Sequence, residues 1–390
     1  MKTALTTALA CLALAAGHAG AASFTVTSLF DDGPGTLRAC VQQANITPGP
    51  DTITFHPALS GSIRLLSTIF VTDSVTIVGP ESRAISIDGT SAGIILRVQN
   101  TADIELGLLD LEFHGGQSAV FFQLNAKLNV HRCVFRDFGD DGVLAAGVFN
   151  PNWGGAKSLT GTVRSSSFVN NRGFYAGVVI TVAKPSGEDL EFINCTFCSN
   201  SSSNGAGVAW IWNGGVSGQG TVDFISCTIT GNTGGDSGLP NGAIENTGST
   251  LACRVKNCVL SENSAGAGTE ANITGQGGLT GNSLEGVNIF SNAMLSPVQI
   301  INGMYVRTPL PGSPCIDAAV PDAQVITDQL GKSRPFVVSG STPAPGSDGS
   351  DVGAVERQSS GCGGADVNAD GRVDGADLSV MLSTFGFGCP

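Results

Sequence analysis

Charge is scarce in this 390-residue chain: Asp, Glu, Lys and Arg together make up 13% of it, about half the usual share. Basic residues are scarcer still, 19 against 32 acidic ones, so the net charge is −13. That balance argues against a nucleic-acid partner. It offers no attraction to an anionic lipid surface and disfavours an acidic polysaccharide. Aromatic platforms are few, with Trp153, Trp210 and Trp212 as the only tryptophans and Tyr175 and Tyr305 as the only tyrosines. No apolar run is long enough to span a bilayer.

Glycine, by contrast, is abundant at 54 residues, and apolar content is 41%. A chain with that much apolar material can build a core, which excludes disorder as its ground state. At this length one globular core would be oversized. A solenoid escapes the limit because it grows in one dimension.

Residues 1–22 read as a signal peptide. Lys2 supplies the positive start, Ala8 to Ala16 a short apolar stretch, and Ala19-Gly20-Ala21 a small-x-small cleavage site. Cys11 does not read as a lipoprotein site, because Ala8 stands three residues before it where Leu is usual. The mature chain is therefore expected outside the cytoplasm, secreted or at the cell surface, where disulfides are permitted. Ten cysteines remain after the leader, too many to pair in general. Cys362 and Cys389 stand apart, flanking the last 28 residues, and read as a staple across the tail.

One pattern returns four or five times between Leu128 and Asn263. Cys133-Val-Phe135, Ser166-Ser-Phe168, Cys195-Thr-Phe197, Cys227-Thr-Ile229 and Cys258-Val-Leu260 align at steps of 33, 29, 32 and 31 residues. The last four copies are followed by Asn171, Asn200, Asn232 and Asn263. Alternating apolar residues precede each copy, as in Leu190-Glu-Phe192 and Val222-Asp-Phe224, and that period of two indicates strands. Asn and Gly suit the left-handed backbone of tight corners. Short strands repeating near every 30 residues, with no helical periodicity, indicate a stacked β-solenoid. A small-residue ladder, an apolar ladder and an amide ladder should run through it, with equivalent residues about 4.8 Å apart. A sandwich or propeller would require two-residue hairpin turns; only Asn204-Gly and Asn241-Gly fit, both inside long Gly-rich stretches.

Ahead of the repeats, Phe24 to Ser28 reads as a first strand. A helix then starts at the N-cap Thr36, with Leu37, Cys40, Val41 and Ala44 as one apolar stripe that stops by Pro48. It is well placed to cover the exposed edge of a first coil. Strand signals follow about every ten residues from Thr52 to Phe113, separated by breaks such as Gly79-Pro80 and Asp88-Gly89.

The segments Val26-Thr-Ser-Leu29, Asp32-Gly-Pro-Gly-Thr-Leu-Arg38 and Asp51-Thr-Ile-Thr-Phe55 resemble the amino-terminal coil of secreted bacterial right-handed parallel β-helix proteins, relatives of the pectin-lyase-like superfamily. Phe168-Val-Asn-Asn171 and Phe197-Cys-Ser-Asn200 resemble the repeat of polymorphic outer-membrane adhesins. Gly312-Ser-Pro-Cys-Ile-Asp317, the stretch from Thr327 to Pro335, and Asp351-Val-Gly-Ala-Val-Glu356 resemble a closing module common in such proteins. Asp317, Asp328, Arg334 and Glu356 are expected to finish the last coil through ion pairs and backbone hydrogen bonds. The resemblance covers most of residues 24–357 and implies an all-β, right-handed parallel β-helix over 23–357.

Residues 358–390 form a separate tail. Residues 366–377 read Asp-Val-Asn-Ala-Asp-Gly-Arg-Val-Asp-Gly-Ala-Asp, a twelve-residue calcium loop. Asp366, Asn368 and Asp370 offer side-chain oxygens at positions 1, 3 and 5, and Gly371 permits the sharp turn at position 6. Arg372 offers its carbonyl, Asp374 ligates directly or through water, and Asp377 closes position 12. Leu378, Met381, Leu382 and Phe385 then mark one face of a short helix. The Asp at position 12 resembles a dockerin type I repeat, which implies bound Ca²⁺ and attachment to a cohesin-like or cell-surface partner. A full dockerin has two repeats; this chain carries one.

Catalytic candidates are sparse. Asp140-Asp141, His114 and Arg254-Val-Lys256 do not stand in the order that hydrolases on this fold use, and a turn and a solvent-facing strand account for the Asp pair and the basic pair. Trp210 and Trp212 fall on one side of one strand and suggest a glycan-stacking pair. The expected function is thus an adhesin-like or glycan-binding exported β-helix attached through a calcium-dependent tail. The alternative is a polysaccharide lyase or glycoside hydrolase carrying a dockerin module, which three or more carboxylates with an Arg or Lys in one groove would favour.

Overall fold

The computed structural model describes residues 20–99, 104–123, 126–139, 147–151, 159–182, 189–212, 221–235, 242–247, 252–265, 272–274, 282–337, 342–358, 367 and 374–384. Three parallel sheets wind around one core, as a β-helix requires. Among the described residues, sheet I has ten strands, from Ser23–Val26 to Asn282–Glu285. Sheet II has eight, from Gly61–Arg64 to Val259–Ser261, and sheet III eight, from Ile69–Val71 to Ile273–Thr274. One coil takes a strand from each sheet in turn, for example Ala126–His131, Val134–Arg136 and Phe149–Pro151. The next coil then pairs with it in parallel register.

The ladders read from the repeat run through the interior. Cys133, Ser166, Cys195, Cys227 and Cys258 are buried in one column, the four thiols lying 3.2–3.5 Å from backbone carbonyls. Burial pushes the Cys133 thiol up to about 12. Phe113, Phe135, Phe168 and Phe197 stack nearly parallel at 5.1, 5.1 and 4.8 Å. Asn171, Asn200, Asn232 and Asn263 pass amide hydrogen bonds from coil to coil at 2.9–3.0 Å, and Asn272 ends the chain of bonds. The ladder asparagines do not themselves take the left-handed conformation. The residue before each does: Asn170, Ser199, Gly231 and Glu262 have φ of 54–66°.

The amino-terminal helix α1, Leu37–Ala44, is capped by the Thr36 hydroxyl, which accepts from the Ala39 amide at 3.2 Å. Its stripe of Leu37, Cys40, Val41 and Ala44 is buried in the main core.

The carboxy-terminal module departs from expectation. Its polar network forms: the Arg334 guanidinium lies 3.5 Å from Glu356 and donates to the Asp351 and Gly353 carbonyls. Asp328, Asp351 and Glu356 each accept backbone amides. Yet the segment does not simply finish the last coil. It runs back along the outer flank of sheet II, from Asn257 (bonded to Val320) through Thr228 (to Ala354) and Thr196 (to Gln329) to Ser167 (to Tyr305). The outward residues of sheet II are small or apolar where the module lies, and charged beyond it at Arg136, His114 and Asp88.

The second helix, α2, spans Gly375–Thr384. Leu378, Met381 and Leu382 are exposed on it. The leader up to residue 19, Cys362 and Cys389 lie outside the described residues; the eight described cysteines are free and buried.

Candidate functional site

A groove of about 830 Å³ opens at the corner where sheet II hands over to sheet III. Four successive coils contribute: Thr90 to Gly93, Gly115 to Gln117, Asp137 to Gly139, and Asn170 with Arg172. Adjacent coils lie about 4.8 Å apart, so the groove runs roughly 14 Å along the axis. Its floor is glycine because the coils approach closely there. A Cβ on Gly116, whose φ is +84°, would sit 2.5 Å from the Gly93 carbonyl oxygen. The side chains that line it are mostly polar, Thr90, Ser91, Gln117, Asp137, Asn170 and Arg172, with Ala92 and Phe138 beside them.

The rim is held by a chain of hydrogen bonds along the coils. Asn170 Nδ2 donates to Asp137 Oδ1 at 2.7 Å, and Arg136 donates to Asp137 Oδ2 at 2.6 Å and to Glu112 Oε1 at 2.8 Å. Burial works against the Arg136 charge, but its hydrogen bonds to Asp137 and Glu112 outweigh it and raise its pKa. One coil back, Asp88 Oδ1 accepts from the Thr90 hydroxyl and amide at 2.5 and 2.9 Å, and His114 Nδ1 lies 4.0 Å away. Burial pushes the Asp88 pKa up, yet these hydrogen bonds and the nearby His114 bring it below the usual carboxylate range. His114, a catalytic candidate in the sequence, thus sits at the edge of the groove beside Asp88. Asp140 and Asp141 lie outside the described residues.

Sheet III carries the aromatics on its outer face. Register aligns Phe70, Arg97 and Phe121 on successive coils, with the Arg97 guanidinium 5.0 Å from the centre of the Phe121 ring. Further along, Trp210 stacks on Tyr175 with centroids 4.9 Å apart and 19° between planes, in a cluster separate from the main core. The strand Ala209–Trp212 places Trp212 two residues on; its side chain lies outside the described residues. Trp210 therefore pairs with Tyr175, a partner the sequence did not suggest. Glu245 is the other residue that sequence reasoning missed. Register puts it beside Trp210 on the next coil.

The basic pair of the sequence serves structure. On the outer face of sheet I, Arg254 makes a two-point clamp on the fully buried Asp223 and lies 3.9 Å from Asp189. Glu191 adjoins Asp223 by register, and its pKa is raised by burial and then by Asp223 and Asp189. Lys256 pairs with Asp322 of the closing module at 2.9 Å. Among the described residues, no three His, Cys, Asp or Glu side chains are grouped to hold a metal ion.

In the tail, Asp374 and Asp377 are described; Asp366, Asn368, Asp370 and Arg372 lie outside the described residues. Asp377 is buried, and its carboxylate accepts the Val367 and Asp374 amides, both at 2.7 Å. The two ends of the twelve-residue loop are thereby brought together at the start of α2.

No protein-family profile matches the sequence, and no curated protein matches it. In structure the chain is similar to Jun a 1, the major allergen from cedar pollen, at 14% identity and a TM-score of 0.43, over 75% of this chain and 80% of that one. It is also similar to pectate lyase Pel9A, at 12% identity and a TM-score of 0.39, over 86% and 96% of the two chains. Among the described residues, no helix is long and apolar enough to cross a membrane.

Proposed function

We propose that this protein is an exported glycan-binding β-helix, adhesin-like in use, that holds a polysaccharide strand in the corner groove and is attached through its carboxy-terminal tail. The observation that carries the reading is the groove itself. It is open and follows the solenoid axis, with amides, hydroxyls, the Asp137 carboxylate and the Arg172 guanidinium at its rim and glycine backbone along its floor. Hydroxyl-rich ligands are recognised by such fixed donors and acceptors. Affinity electrophoresis through gels containing neutral and acidic polysaccharides tests it. Migration should be retarded by a polysaccharide for the wild type and not for Gln117→Ala/Asn170→Ala. Equal retardation of both proteins, or none for either, would contradict it.

The tail would hold Ca²⁺ through Asp366, Asn368, Asp370, the Arg372 carbonyl, Asp374 and Asp377. The donors are hard oxygens, as that ion prefers, and the closed loop ends suit them. Bound calcium would neutralise the crowded carboxylates and order the loop against α2. The exposed Leu378, Met381 and Leu382 would then face a cohesin-like or cell-surface partner, and a Cys362–Cys389 disulfide would close the tail.

One observation favours the second reading, a polysaccharide lyase or glycoside hydrolase. Asp189, Glu191 and Asp223 gather around Arg254 on sheet I. The clamp on Asp223 already consumes the guanidinium, so binding remains the better-supported function.

A further inference from the structure

Successive coils meet under the corner groove without offset. Register aligns Asp88, His114, Arg136 and Val169 on the sheet II strands that lead into it. The ladder continues past the strands: the Gly89, Gly115 and Asp137 amides donate to the His114, Arg136 and Val169 carbonyls of the next coil, and the Gly139 amide to the Gly116 carbonyl of the previous one. Gly115, Asp137 and Asn170 turn the corner with similar left-handed φ, 70°, 58° and 54°. Directly beneath, the rings of Phe113, Phe135 and Phe168 stack with only 7° and 8° between planes. Coils that neither slip nor rotate make a straight edge. The groove is therefore a straight track with a pitch of about 4.8 Å per coil.

Exposed polar side chains stand along that track at the coil spacing: Thr90 and Ser91, then Gln117, then Asp137, then Asn170. Ser91 Oγ accepts from Arg64 at 2.9 Å, which leaves its own proton to donate. Asn170 gives Nδ2 to Asp137 Oδ1, which leaves its carbonyl to accept. A ligand that uses every coil must be straight and must repeat its polar groups at nearly this pitch. An extended peptide advances about 3.3 Å per residue and shows one face every second residue, so it falls out of step within a coil or two. Bonds of about 1.5 Å put the linkage oxygens of a sugar ring roughly 5 Å apart when both are equatorial and at opposite ends of the ring. That advance matches the coils. Axial links and links to a nearer ring position curl the chain into a helix, which leaves a straight track after a ring or two.

We propose that the corner groove selects a straight, ribbon-like, uncharged glycan joined through equatorial 1,4 links, with one sugar ring on each coil from Thr90 to Asn170. This rests on the glycan-binding reading and narrows its ligand. Asp137 and Arg172 oppose each other in sign at the rim, so the groove has no cationic excess to draw a polyanion, and the net charge of −13 repels one. No bond is made or broken.

The test is calorimetric titration of the full chain with three glucose tetrasaccharides that differ only in linkage: cellotetraose, maltotetraose and laminaritetraose. Cellotetraose should bind about tenfold or more tightly than the other two, the equivalent of one or two hydrogen bonds lost when a chain leaves the track. In a series of cello-oligosaccharides, affinity should climb up to the tetrasaccharide and then level, one ring for each coil. Asn170→Ala, at one end of the groove, should lose the gain between trisaccharide and tetrasaccharide. It should keep the trisaccharide affinity, since three rings still find the other coils, and that retained affinity shows the variant to be folded. Equal affinity for the three linkages, preference for either helical chain, or a series that levels at the disaccharide would overturn the proposal. So would an Asn170→Ala variant that weakens trisaccharide and tetrasaccharide alike. If the polysaccharide that retards the protein in gels is a polyanion or a helical chain, the groove reading stands and this selectivity falls; if none retards it, both fall.

Discussion

Gln329 bridges two successive coils of the solenoid from the side: its carbonyl accepts the Thr196 hydroxyl at 2.5 Å while its amide donates to the Ser167 hydroxyl at 2.8 Å and to the Ser166 carbonyl. More than 130 residues separate these partners in sequence. The closing module is therefore a clasp along the flank, stapled by side chains of successive repeats.

Gln329→Ala should leave the buried Thr196 hydroxyl without its partner, while Ser167 keeps its bond to the Tyr305 carbonyl, at a cost of about 1–3 kcal/mol. Chemical denaturation measures it. A loss well below that range would mean that water replaces Gln329 and that the clasp is only loosely seated.

Within the core, Asn200 receives the amide of Asn171 and donates to Asn232 and to the Phe168 carbonyl. Asn200→Ala breaks the ladder in its middle and strands several buried groups at once, so about 3 kcal/mol or more should be lost. Because each coil contacts mainly its neighbours, hydrogen exchange should rise first in the coils of Phe168 and Phe197.

Glu245 gives the solenoid a pH dependence of its own. Its folded pKa of about 7 stands above the ordinary 4.5, so the folded state binds the proton more tightly than the unfolded one. The stabilising contribution is fully present below about pH 4.5 and is lost as pH rises through about 7. Thermal melts across this window should fall towards the alkaline end in the wild type and flatten there in Glu245→Gln.

Calcium should belong to the tail. Titration calorimetry should find about one ion in the full chain and none in a chain ended after Glu356. Asp377→Ala should abolish the binding. Binding by the shortened chain would move the metal to the solenoid and favour lyase chemistry around Asp189, Glu191 and Asp223.

The β-helix was legible in the sequence because a solenoid writes its contacts as a repeat. Cys195 sits on Cys227 and Phe168 on Phe197 for the same reason that they align on the page. The cap helix was legible from Thr36 and one apolar stripe, both local. What lay hidden was non-local or featureless. The clasp joins Ser167 to Tyr305, and no periodicity links them. The groove is made by an absence of side chains at Gly93, Gly115, Gly116 and Gly139, which in a glycine-rich chain look like any other turns. Glu245 is one acidic residue in Ile-Glu-Asn. Extending the repeat alignment through sheet III, so that Ile244 falls on Ala209, would have set it beside Trp210.

The most direct test of glycan binding in the corner groove is hydrogen exchange with and without a polysaccharide that retards the protein. Protection should concentrate at residues 90–93, 115–117, 137–139 and 170–172, on four consecutive coils. Protection centred instead on the sheet I strands that carry Glu191, Asp223 and Arg254, with the corner unchanged, would contradict it.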